Sequence, residues 1–132
     1  YNNQFYDNLN LFGGLDITAG ELAIFECTQG INNFNTLHEF YSAIQIEQAE
    51  KVDIQGSKFR NLCAYQGGAI TILGSSNPES ACTFTVDQTM FDFNIALVDG
   101  GAICSSNVDH FKASSSDFVS NTAVSGNGGG IS

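Results

Sequence analysis

The sequence predicts an all-β fold, a parallel β-helix of about five coils with roughly 25–32 residues in each. Two observations lead there. A phrase that opens on Phe and closes on Ile recurs along the 132 residues, and short runs of alternating apolar and polar residues precede most of its copies. A third removes the main competitor: no segment of ten or more residues carries a convincing helical spacing of apolar residues.

The phrase is clearest as FDFNIALVDGGAIC from Phe91. It returns as FYDNLNLFGGLDI from Phe5, FNTLHEFYSAIQI from Phe34, FRNLCAYQGGAITI from Phe59 and FVSNTAVSGNGGGIS from Phe118. The Phe markers are separated by 29, 25, 32 and 27 residues, and the closing isoleucines (Ile17, Ile46, Ile72, Ile103 and Ile131) by 29, 26, 31 and 28. Two markers that keep pace define a repeat. Its copies are unequal. Asn follows Phe by three at Asn8, Asn94 and Asn121 but by two at Asn61. The second copy has Leu37 at that place, and Ser42-Ala43 where the others carry Gly13-Gly14, Gly67-Gly68, Gly100-Gly101 and Gly128-Gly129.

Each marker has a physical use in a stack of coils. Phe5, Phe34, Phe59, Phe91 and Phe118 are expected to stack inside, burying ring area with offset contacts, beside a column of Ile and Leu. Asn8, Asn61, Asn94 and Asn121 are expected at corners, where Asn tolerates the left-handed backbone and hydrogen-bonds the Asn of the next coil. The glycine pairs permit a sharp bend with positive φ. Ahead of the Phe markers, Leu22 and Ile24, Val52 and Ile54, and Phe84 and Val86 alternate with polar residues, which marks half-buried strands. The stretch TLHEFYSAIQIEQAEKV comes nearest to a helix, but its Ile44 and Ile46 belong to the repeat. The insert from Gly74 to Ser80 holds the only proline and reads as a loop.

The charge balance limits partners. Four Lys and Arg against 14 Asp and Glu give a net charge of −10, which repels nucleic acid and anionic membrane. Basic proteins, cations and neutral glycans remain permitted. No apolar run approaches the roughly 20 residues of a membrane span, so membrane insertion is not expected. Residues 1–132 read as one domain. Because Tyr1 and Ser132 fall inside the repeat phrase, with no polar cap at either end, the domain is expected to be a segment of a longer solenoid or one unit of a filament.

F-x-x-N followed by G-G-A-I resembles the repeat of the polymorphic outer membrane proteins, whose passenger regions are right-handed β-helices; similar repeats occur in extracellular proteins of unicellular eukaryotes. FDFNIALVDGGAI and FVSNTAVSGNGGGI carry the resemblance best, and FRNLCAYQGGAI carries it with a displaced Asn. It implies a right-handed helix with an adhesive or scaffolding role at a cell surface, and it brings no catalytic residue with it.

Carbohydrate-active enzymes also use β-helices, so acidic clusters deserve weighing. Asp87, Asp92, Asp99, Asp109 and Asp117 lie in successive units, and glycosidic chemistry needs two carboxylates on one face. They fall at different phases of the repeat, so they are read as solvated surface carboxylates. His38 and His110 have no partner at ligand spacing, and Ser114, Ser115 and Ser116 lack a nucleophile elbow. No EF-hand or nonapeptide calcium repeat occurs. No catalytic, metal or cofactor site is therefore assigned, and the chain is not expected to be an enzyme. Cys63 and Cys82 bracket the insert and are placed to close it as a disulfide; four free thiols, or pairings with Cys27 or Cys104, stay open. Tyr6, Tyr41 and Tyr65 are candidate exposed aromatics for a glycan. Thr71, Thr83, Thr85 and Thr89 do not recur coil to coil, which argues against an ice-binding face.

The expected function is that of an extracellular or cell-surface structural protein, adhesive or fibril-forming, that associates head to tail with itself or with flanking repeats. Glycans are a further permitted partner. The alternative is a carbohydrate-binding or pectate-lyase-like β-helix.

Overall fold

The computed structural model describes residues 3–12, 16–18, 42, 44–76, 79 and 81–132. Within them the chain is all-β, every strand pairs in parallel, and there is no helix. The strands are β1 (Asn3–Phe12), β2 (Asp16–Thr18), β3 (Ile44–Gln55), β4 (Lys58–Arg60), β5 (Cys63–Ala64), β6 (Ile70–Gly74), β7 (Thr83–Asp87), β8 (Met90–Asp92), β9 (Ile95–Ala96), β10 (Ile103–Ser106), β11 (His110–Ser114), β12 (Asp117–Val119) and β13 (Thr122–Ala123).

Three sheets collect equivalent strands. The first joins β10, β6, β3, β7 and β11, with β1 also on β3; the second runs β12-β8-β4-β2; the third runs β13-β9-β5. Strand β3 contributes twice, its first half against β6 and its second against β7. The division falls at Gln48, whose φ of 57° interrupts the register between Glu47 and Ala49. The segment closest to a helix in sequence is thus a strand of 12 residues, because Ile44, Ile46, Val52 and Ile54 all have to face the same core.

Parallel register stacks like on like. Phe59, Phe91 and Phe118 lie opposite one another, with ring centroids 5.0 and 4.8 Å apart and planes 6° from parallel. Val52, Phe84 and Phe111 form a second row, Ile54, Val86 and Ala113 a third, and Ile44, Ile70, Ile103 and Ile131 a fourth. Phe59, Phe84, Phe91, Ile70, Ile72 and Ile103 are fully buried.

The corners between strands also repeat. Gly56, Gln88 and Ser115 share positive φ, as do Asn61, Phe93 and Ser120, and Gly67, Gly100 and Gly128. Four of these nine, Gln88, Ser115, Phe93 and Ser120, are neither Gly nor Asn, so the left-handed conformation costs them backbone energy that the stacked strands on either side must offset.

The register corrects the predicted phase. Strand β1 pairs directly with β3, and β2 with β4, at offsets of about 42 residues, so among the described residues the second sheet has four strands and no strand of the unit from Phe34 lies between β2 and β4. Ile17, not Phe5, lies opposite Phe59; Phe5 lies opposite Ile46, and Asn8 opposite Lys51. An aliphatic residue fills the aromatic position in the first unit, which Phe spacing could not reveal. Phe34, Gly13 and Gly14 lie outside the described residues. Ile103 registers with Ile70 and not with Ile72, whose counterparts are Ile46 and Ser105. The insert is real: Ile70 to Thr83 spans 13 positions where Ile44 to Lys51 and Ile103 to His110 each span 7.

Phe91 is sandwiched between two parallel rings, so Phe91→Ala removes both contacts and opens a cavity. The expected loss is about 3–5 kcal/mol in a urea titration. Phe111→Ala, at a half-exposed position, should cost clearly less in the same assay.

Candidate functional site: side-chain ladders and an open strand edge

Two polar ladders run beside the Phe stack. Asn94 Oδ1 accepts the Leu62 N–H at 3.1 Å, and Asn121 Oδ1 accepts the Asn94 N–H at 3.0 Å. Their Nδ2 groups donate to the Phe59 and Phe91 carbonyls, and Asn94 Nδ2 also donates to Asn121 Oδ1. Asn94 is fully buried, so each of these bonds satisfies a group that would otherwise be stranded in the core. The two roles predicted for the corner Asn residues separate here: Asn94 and Asn121 bond across repeats without a left-handed φ, and Asn61 keeps the left-handed corner without the ladder bond. It occupies the left-handed corner equivalent to Phe93 and Ser120, while Leu62 takes the ladder position and ends the ladder. Its apparent displacement in sequence reflects a change of job, since Phe59 and Phe91 keep their register.

The second ladder is made of hydroxyls. Thr89 Oγ1 accepts the Ser57 N–H at 3.3 Å, and Ser116 Oγ accepts the Thr89 N–H at 3.1 Å. Each hydroxyl donates to the carbonyl two residues earlier: Ser57 to Gln55, Thr89 to Asp87 and Ser116 to Ser114. This ladder went unread in the sequence, although its signal is there, a Ser or Thr two residues before Phe59, Phe91 and Phe118. Thr89, read as an isolated threonine, is therefore a buried ladder member.

The glycine turns pack by backbone approach. Gly68 N–H donates to Gly100 O and Gly101 N–H to Gly128 O. A Cβ at Gly101 would run into the Gly129 carbonyl, so the position tolerates no side chain. Ser42 stands two residues before Ile44, as Gly68 does before Ile70, and its hydroxyl bonds Gln66 O and Thr71 Oγ1.

The acidic residues do not converge. Asp87 lies opposite Gln55 and Ser114, Asp92 opposite Arg60 and Val119, and Asp117 opposite Met90, so no strand pairing sets one Asp against another. Asp99 Oδ1 accepts the Asn127 N–H, and Asp109 Oδ2 accepts the Cys82 N–H. Asp92 departs from the solvated reading: it is buried and lies 3.2 Å from Arg60 Nε. Among the described residues, no three His, Cys, Asp or Glu side chains gather as a metal site. His110 is exposed on β11, and Tyr65 is half-buried against Leu97. His38 and Tyr41 lie outside the described residues.

The predicted Cys63–Cys82 bridge is not formed. Cys63 is disulfide-bonded, while Cys82 and Cys104 are free. Cys82 points into the packed side of the chain, fully buried, where no second sulfur is its partner. Burial raises the pKa of both free thiols, with Asp109 adding to the shift at Cys82 and Asp99 at Cys104.

Strands β11, β12 and β13 each pair on one side only among the described residues. Phe111 and Val119 on them are 38 and 46% exposed. An open run of this kind offers unpaired N–H and C=O groups to another strand.

Asn94→Leu strands the Leu62 N–H and the Phe59 carbonyl, and should cost roughly 1–3 kcal/mol for each orphaned group in a denaturant titration. Asn61→Gly, which keeps the left-handed corner, should stay within about 1 kcal/mol of the parent. Iodoacetamide labelling without reductant, read by peptide mapping, should modify Cys104 before Cys82 in the native chain, both slowly at pH 8 because their raised pKa values leave little thiolate. Cys63 should label only after reduction.

In comparison with known proteins, no family model, no curated protein and no solved structure matches this chain.

Proposed function

We propose that the chain is a segment of a right-handed parallel β-helix that serves as a structural, adhesive or fibril-forming element at the cell surface or outside the cell. The observation that carries the reading is the use of its recurring residues. Phe59, Phe91, Phe118, Asn94, Asn121, Ser57, Thr89 and Ser116 all hold one repeat to the next. In a protein whose repeated side chains are spent on stacking, the repeat itself is the working feature. Right-handedness rests on the near-universal hand of parallel crossovers, and the resemblance to the outer-membrane protein repeat supports it. The acidic surface and the open β11–β13 edge fit a role in assembly, in which stacking on one edge is head-to-tail and gives an open filament.

The test is assembly of the chain from micromolar to millimolar concentration. Light scattering and negative-stain microscopy should show elongated particles that grow with concentration and have the width of one chain. A globular monomer throughout that range would overturn the filament reading.

A further inference from the structure

The ladders have a direction. In the pairs Ser57–Thr89, Thr89–Ser116, Leu62–Asn94 and Asn94–Asn121, the side chain of the later repeat accepts the N–H of the earlier one. Cys82 and Asp109 follow the same rule. At the last repeat the series stops: among the described residues the Ser116 and Asn121 N–H groups meet no acceptor. The same repeat presents the outer face of the Phe118 ring, whose inner face stacks on Phe91.

We propose that the β11–β13 edge is a docking surface for one class of partner, a polypeptide repeat with Ser or Thr two residues before a Phe and Asn three residues after it. This rests on the assembly reading above and specifies its chemistry. The incoming hydroxyl would accept the Ser116 N–H. The incoming Asn would accept the Asn121 N–H through Oδ1 and donate to the Phe118 carbonyl through Nδ2, as Asn121 does to Phe91. The incoming ring would extend the Phe stack. The surface is thus continuous, in phase and polarity, with the repeat interfaces already present.

The experiment extends the full chain by fusing a copy of residues 105–132 after Ser132, which continues the register set by the Ile103–Ile131 bridge. A matched extension carries Ser116→Ala and Asn121→Leu in the appended copy only. Amide exchange is followed by NMR in both and in the unextended chain. The intact extension should slow exchange at the parental Ser116 and Asn121 amides by about tenfold or more, and the ladder-free extension should leave those two unslowed. Equal slowing by both extensions, or no slowing by either, would each overturn the proposal. Filaments that form without any change at these two amides would overturn it while leaving the assembly reading intact.

Discussion

Parallel in-register pairing is the constraint on which the rest of this molecule depends. When Phe59 lies opposite Phe91 and Phe91 opposite Phe118, every other position of the repeat is also brought against its own counterpart, about 4.8 Å away. A residue is then acceptable only if it can stand against a copy of itself. Flat rings can, at 6° from parallel. Asn can, because it carries a donor and an acceptor on one side chain. Two Asp residues cannot without repulsion, and the register sets none of the strand aspartates against another.

The same constraint explains why polar groups are tolerated inside. Ser57, Thr89 and Asn94 are all buried, and an unpaired polar group there would cost roughly 1–3 kcal/mol. Corners interrupt the strand ladder and leave backbone N–H groups without a partner in the neighbouring strand. The hydroxyl and amide ladders supply the acceptor at those points, Thr89 Oγ1 for Ser57 and Asn94 Oδ1 for Leu62. Leu62 shows how far this can be relaxed. Its backbone N–H donates to Asn94 Oδ1 while its side chain adds apolar bulk, so the ladder can stop there without leaving that N–H unsatisfied.

Polarity is the consequence with the widest reach. Because later repeats cap earlier ones in both ladders, the two ends of the stack are chemically different. The β11–β13 end leaves the Ser116 and Asn121 N–H groups for an acceptor, whereas at the other end the Asn ladder closes on the Leu62 backbone. Backbone pairing alone would let any strand join either edge. The ladders restrict which strand satisfies the corners as well.

By itself the sequence determined that the chain is all-β, that Phe59, Phe91 and Phe118 are equivalent, that the glycine pairs after residue 66 are turns, and that extra residues are inserted before Thr83, although Gly74, read as the first of them, ends strand β6. These follow from spacing, and spacing is conserved by stacking whenever the side chains are alike. Only the tertiary structure decided the cases in which the side chains are unlike. Ile17 takes the place of a Phe, Leu62 the place of an Asn, and Phe93 a left-handed corner that Asn61 fills in the previous repeat. It likewise decided that Cys82 is free, because a disulfide needs two sulfurs within bonding reach and closeness along the chain does not provide that. The reason is the same in each case. Register is fixed by backbone pairing along whole strands, so once neighbouring positions hold it, a single position can change its chemistry without shifting the stack.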